Sequence, residues 1–187
     1  MGSGVEAHES FEALLEERLN QDLAPDSSMS FEILNFGVAG YSPLHMLYQL
    51  ERKVLAFEPN MAIFLGHVSD KESTARRWAR IVRSGILPRD EYQSDLLRRS
   101  GLTPETGPNE ARRRVKPYER ELRRSVYDRF VALCRARGIT PVFVYFQTVT
   151  EPGEAWRATD RSEVIAVASE AGFQVLDLTG VFEGRDP

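Results

Sequence analysis

Residues 31–70 read FEILNFGVAGYSPLHMLYQLERKVLAFEPNMAIFLGHVSD, and this stretch decides the predicted fold. An apolar run over 31–36 predicts a strand, which the glycine-containing segment 37–40 ends. The Ser-Pro pair at 42–43 predicts a helix start, because serine caps a helix and proline fits its first position. A second apolar run, 61–65, predicts a strand that is covered on both faces. Together these patterns predict a β-α-β unit.

Helical and strand patterns alternate along the rest of the chain. Helical spacing of apolar residues predicts helices near 10–20, 72–84 and 117–137, and apolar runs predict strands at 141–146 and 173–178. This alternation predicts an α/β domain with a parallel sheet between helical layers.

Two local patterns add detail to this prediction. The Asp160-x-x-Glu163 spacing resembles a capping box at the start of a helix that ends at Gly172. Residues 85–116 contain repeated glycine and proline and are predicted to be irregular. They fit either an insertion over the active-site end of the sheet or a surface loop.

Composition restricts the class of protein. A chain of 187 residues with 42% apolar and 28% charged residues suits one soluble domain spanning 1–187. The net charge of −4 gives no broad attraction to nucleic acid. Acidic residues lie between the arginine clusters at 112–114 and 123–124, so we interpret these clusters as solvated helical faces, with a phosphate-binding patch as the alternative. No apolar run approaches the ~20 residues of a membrane span. Cys134, the single cysteine, excludes a disulfide framework and is predicted to be a core residue.

Two segments carry a resemblance to a known family. Residues 35–42, NFGVAGYS, resemble the second conserved block of the SGNH (GDSL-type) hydrolases, and residues 65–70, LGHVSD, resemble the third. The resemblance implies a three-layer α/β/α fold with a parallel, flavodoxin-like sheet. The family's Gly-Asp-Ser nucleophile motif and its Asp-x-x-His base motif do not occur in this sequence. We therefore expect a domain that lacks its first strand and last helix. If the natural N-terminus is missing too, the sequence does not predict the cellular compartment.

The resemblance also implies roles for individual residues. In this family the glycine that matches Gly40 offers its main-chain N–H to an oxyanion, and a third-block asparagine offers its side-chain amide. Ser69 stands in place of that asparagine, and its hydroxyl has a shorter reach. Tyr41 and His67 flank these positions and are expected to contact substrate. The alternatives are that Gly40 is a plain turn glycine and that Ser69 only caps the next helix.

The expected function is that of an esterase or acyl hydrolase acting on O-acyl groups of small molecules or carbohydrates. The 187 residues as given lack the family's nucleophile and base motifs, so by themselves they are expected to be inactive. Loss of a well-placed oxyanion donor costs about 10²–10³ in rate, so the serine at 69 bears directly on activity. A non-catalytic binding domain on the same fold and an O-acyltransferase are the alternatives. No cofactor is implied, and no His, Asp and Glu residues have metal-ligand spacing.

Overall fold

The computed structural model describes residues 6–23, 29–88, 91–146 and 155–181. It divides into two compact units, 1–41 and 42–187, and the single domain 1–187 stays a prediction. Each unit is described by itself below.

The first unit contains one α-helix, α1 (Phe11–Asp22), in its described part. The strand predicted at 31–36 is wrong, because these residues have no regular secondary structure. Their main-chain groups bind side chains of α1 instead: the N–H of Phe31 donates to Asn20 Oδ1 at 2.8 Å, and that of Ile33 donates to Glu16 Oε2 at 2.6 Å. A strand needs a neighbouring strand for its hydrogen bonds, and here helix side chains satisfy them.

The second unit is built on a parallel sheet of three described strands in the order β1-β2-β3. The strands are β1 (Met61–Gly66), β2 (Thr140–Tyr145) and β3 (Gln174–Asp177). Six helices connect and cover them: α2 (Pro43–Arg52), α3 (Asp70–Arg83), α4 (Glu91–Ser100), α5 (Pro108–Val115), α6 (Glu119–Arg135) and α7 (Ala155–Ala171). The predicted α/β class with a parallel sheet is confirmed, and the arrangement is consistent with a three-layer α/β/α fold.

One face of the sheet carries an aromatic core. Phe64 and Phe143 stack with their ring centroids 5.4 Å apart, and Tyr127 and Phe130 of α6 meet Phe64 edge-on. Cys134 is buried in the same core, as predicted. Aromatic rings in such contacts stabilise a core beyond their buried area alone.

The opposite face of the sheet is partly exposed, so the prediction that 61–65 is covered on both faces is wrong. Met61, Ile63 and Leu176 lie on this face and are each about half exposed.

Two further predictions need correction. The region 85–116, predicted to be irregular, contains α4 and α5, which contribute to a second apolar cluster with α3 and α6. The Asp160-x-x-Glu163 pair is no capping box, because α7 already begins at Ala155 and both residues lie inside it.

The predicted start of α2 is confirmed. This helix begins at Ser42-Pro43, and the N–H of Ser42 donates to Nδ1 of His45 at 3.0 Å.

Candidate functional site

A polar turn joins the carboxyl end of β1 to α3. The N–H of Asp70 donates to the carbonyl oxygen of His67 at 2.9 Å, and that of Lys71 donates to the carbonyl of Val68 at 3.3 Å. Ser69 occupies the position before α3 and is exposed. His67 and Ser69 therefore lie at the edge of the parallel sheet where such sheets bind ligands.

Ser69 and His67 contact each other within this turn. The Ser69 Oγ lies 3.0 Å from His67 Nδ1, and the Ser69 N–H donates to the same nitrogen at 3.1 Å. Because a main-chain N–H can only donate, Nδ1 is an acceptor and the ring carries its proton on Nε2. The serine hydroxyl then donates to Nδ1 as well. In this conformation its proton is directed at His67 rather than at a bound oxyanion.

A buried carboxylate supports the turn from below. The Asp70 side chain is buried, and its Oδ2 accepts the N–H of His67 at 3.2 Å. Burial raises the pKa of Asp70 to about 7, although the His67 N–H and the Arg123 charge partly favour the ionised form. The Tyr127 hydroxyl lies beside this carboxyl and acts on its pKa, but its distance and angle to any described acceptor do not meet those of a hydrogen bond. Burial raises the pKa of Tyr127 well above its usual range.

Charged side chains of α3, α6 and α7 form a network, and one member, Arg123, acts on the Asp70 carboxylate. Arg123 of α6 is fully buried, so the prediction of a solvated face is wrong for this residue, and its Nη2 donates to Glu163 Oε1 of α7 at 2.6 Å. Its Nε and Nη1 have no hydrogen-bond partner in the described part of the chain. Lys71 of α3 pairs with Asp160 and lies 3.5 Å from Glu163, and the Asp160 contact raises the pKa of Lys71. Sequence reasoning missed this network because it interpreted Asp160 and Glu163 as a local cap.

Gly40 and Tyr41 belong to the first unit. The N–H of Tyr41 donates to the carbonyl oxygen of Val38 at 3.1 Å, closing a turn in which Gly40 has φ = +77°. This backbone conformation favours glycine, as expected from the alternative in which Gly40 is a turn glycine. The role of the Gly40 N–H in binding an oxyanion stays a prediction. Gly40 and Ser69 lie in different units, so their predicted proximity stays a prediction.

The described residues carry neither a group of metal ligands nor a membrane-spanning helix. Across residues 6–23, 29–88, 91–146 and 155–181, no three His, Cys, Asp or Glu side chains group as metal ligands. Within the same residues no helix has the length and apolar character needed to cross a membrane. The chain matches no known protein-family model, and it has no significant match among curated proteins or solved structures.

Proposed function

We propose that this chain supplies the oxyanion-binding part of an SGNH-type acyl hydrolase that acts on O-acyl esters of small molecules or carbohydrates. The observation that carries the proposal is the polar turn of His67 and Ser69 at the carboxyl edge of a parallel sheet, held by the buried Asp70. The resemblance of segments 35–42 and 65–70 to two family blocks supports it.

In the proposed reaction a serine attacks the ester carbonyl and a histidine accepts its proton. The Gly-Asp-Ser and Asp-x-x-His motifs that carry these two residues in the family do not occur in this sequence. The second unit contributes the hydroxyl of Ser69 as a donor to the oxyanion, and the N–H of Gly40 is the further donor that the family resemblance implies. The Ser69 hydroxyl reaches an oxyanion by rotating away from His67 Nδ1. The N–H of Ser69 keeps its own bond to Nδ1 and holds the turn in place. Such rotations of exposed side chains are fast compared with turnover.

The test uses the chain expressed with its natural flanking coding sequence, which the proposal requires to contain Gly-Asp-Ser and Asp-x-x-His. We expect hydrolysis of p-nitrophenyl acetate, kept or increased in Ser69→Asn because an amide donor reaches further than a hydroxyl. Gly40→Ala should lower the rate by displacing its N–H. Ser84→Asn is the matched control, since Ser84 is an exposed serine at the other end of α3. Flanking sequence without these motifs, or a large rate loss in Ser69→Asn, would contradict the proposal.

A non-catalytic binding domain on the same fold is the second candidate. The contact that directs the Ser69 hydroxyl at His67 favours it, because it leaves this donor engaged in the unbound protein. Saturable binding of an acetylated oligosaccharide without release of acetate would distinguish this function from hydrolysis. Transfer of acetate to an added sugar would instead indicate an O-acyltransferase.

A further inference from the structure

A basic cavity lies between α3 and α5, apart from the turn described above. It has a volume of about 160 Å³, and the buried Ala79 and Ala111 form its base. Its walls carry four arginines: Arg76, Arg80, Arg83 and Arg112. Arg80 follows Ser69 by roughly 16 Å of helix, at 1.5 Å per residue. The cavity is therefore a feature separate from the candidate ester site.

Helical spacing explains why these arginines converge. Arg76, Arg80 and Arg83 follow one another at intervals of four and three residues, so they share one face of α3. Arg112 reaches the same cavity from α5. The small alanine side chains at the base let the two helices approach closely, which brings the guanidinium groups of both around one space.

The positive charge in the cavity is only partly balanced. Glu72 is the carboxylate that contacts two of the four arginines, at 3.4 Å from Arg112 and 3.7 Å from Arg76. Arg83 donates from Nε to the carbonyl oxygen of Thr106 at 2.8 Å, which orients its guanidinium without neutralising it. The Arg80 guanidinium has no ion pair or hydrogen bond with another described residue, and the Arg80 carbonyl oxygen accepts the N–H of Ser84 at 3.0 Å.

Two neighbouring arginines outside the cavity are paired with a carboxylate. Arg113 and Arg114 of α5 both pair with Glu110. Positive charge therefore stays unbalanced at the cavity, although the chain as a whole carries a net charge of −4. Several guanidinium groups held close together repel one another unless an anion lies between them.

We propose that this cavity binds a phosphate group, either as the free ion or as the end of a phosphomonoester. Guanidinium groups form paired, charge-assisted hydrogen bonds to phosphate oxygens, and donors from two helices suit a tetrahedral anion. A dianion also balances more of this charge than a carboxylate does. The cavity volume suits one such group, and the net charge of −4 gives no broad attraction to an extended polyanion such as nucleic acid. This site goes beyond the proposed ester chemistry and does not depend on it.

The experiment titrates the 187-residue protein with inorganic phosphate by calorimetry, at pH 7.5 and with ionic strength held constant by chloride. A second titration uses glycerol 3-phosphate, and the tighter ligand identifies the free ion or the monoester. We expect saturable binding at one site. Arg80→Gln should weaken it about tenfold or more, since it removes a charge-assisted hydrogen bond.

Arg98→Gln is the matched control, because Arg98 is an exposed arginine of α4 that pairs with Asp95 outside the cavity. It should bind phosphate as the unmodified protein does. Arg112→Gln provides a second cavity variant, and unchanged circular dichroism confirms that each variant folds. Absence of saturable phosphate binding, or equal weakening by Arg80→Gln and Arg98→Gln, would overturn the proposal. Binding of a single-stranded oligonucleotide without binding of phosphate would overturn it as well.

Discussion

The main-chain N–H of His67 donates a hydrogen bond to the buried carboxylate of Asp70, with 3.2 Å between N and Oδ2. This bond joins the exposed turn at the end of β1 to charges inside the protein. Arg123 and Tyr127 of α6 lie near the same carboxylate. The ionisation state of Asp70 therefore affects both the stability of the fold and the position of the turn that carries His67 and Ser69.

Asp70→Asn should change how stability depends on pH. The pKa of Asp70 is raised in the folded protein from its ordinary value of 3.8 to about 7. Its contribution to stability is therefore fully present below about pH 4 and is lost as pH rises through about 7. We expect the free energy of unfolding of the unmodified protein to fall relative to the variant by roughly 2–3 kcal/mol between pH 5 and pH 8. Urea unfolding of both proteins across this range measures the difference.

Asp95→Asn serves as the control, because Asp95 is a partly exposed carboxylate of α4 that pairs with surface arginines. It should leave the pH dependence of unfolding unchanged. Parallel stability curves for the unmodified protein and Asp70→Asn would show that the buried carboxyl does not titrate in this range.

Arg123→Met should destabilise the protein more at pH 8 than at pH 5. Arg123 is fully buried and its charge favours the ionised form of Asp70, which dominates above pH 7. Removing one partner of a buried charge cluster costs about 3–5 kcal/mol, and the lower end suits a network that also contains the partly exposed Glu163. At pH 5 Asp70 is protonated, so we expect a smaller loss. Urea unfolding at the two pH values measures it.

Arg124→Met is the matched variant on the same helix. Arg124 pairs with Asp128 and Glu170 near the surface, where an ion pair contributes about 0–1 kcal/mol. An equal loss of stability in the two variants would mean that burial of Arg123 has no special effect.

Gly66→Ala should destabilise β1 through a steric clash. A Cβ at Gly66 would lie 2.0 Å from Cζ of Phe143, and the fully buried Phe143 ring is packed on Phe64 and Tyr127. The ring has no free space to move into, so we expect a loss of about 2–3 kcal/mol in the free energy of unfolding. Thermal and urea unfolding measure this loss.

Gly107→Ala is the corresponding control, because a Cβ at Gly107 meets no atom within 4 Å and its φ of −61° suits any residue. It should change stability by less than about 0.5 kcal/mol. A tolerated Gly66→Ala with an unchanged unfolding midpoint would contradict the packing of β1 on Phe143.

Ile63→Thr should reduce self-association. Ile63, Met61 and Leu176 are each about half exposed on one face of the sheet, and apolar surface grouped in this way promotes association. Threonine keeps the β-branched shape that suits a strand and removes apolar area. We expect a smaller sedimentation coefficient at high protein concentration and weaker fluorescence of an apolar dye. Ile86→Thr is the control, since Ile86 is also exposed, to 61% against 47% for Ile63, but follows α3. Equal effects of both substitutions would exclude the sheet face as the cause.

The sequence by itself determined the elements whose signals are local. Serine and proline at 42–43 start α2, and helical spacing of apolar residues marks α6. The apolar runs at 61–65, 141–146 and 173–178 correspond to β1, β2 and β3. The placement of His67 and Ser69 at the end of a parallel strand follows from the same patterns. Such signals act between residues a few positions apart, so the sequence displays them directly.

Only the tertiary structure decided features that depend on distant partners. Residues 31–36 have a strand-like composition but bind side chains of α1, because strand hydrogen bonds require a neighbouring strand. Asp160 and Glu163 have the spacing of a cap, yet they pair with Lys71 and Arg123 from other helices. The raised pKa of Asp70 likewise depends on burial by elements far away in the chain. Local residue spacing does not predict burial or charge pairing between distant segments, because those segments meet only when the chain folds.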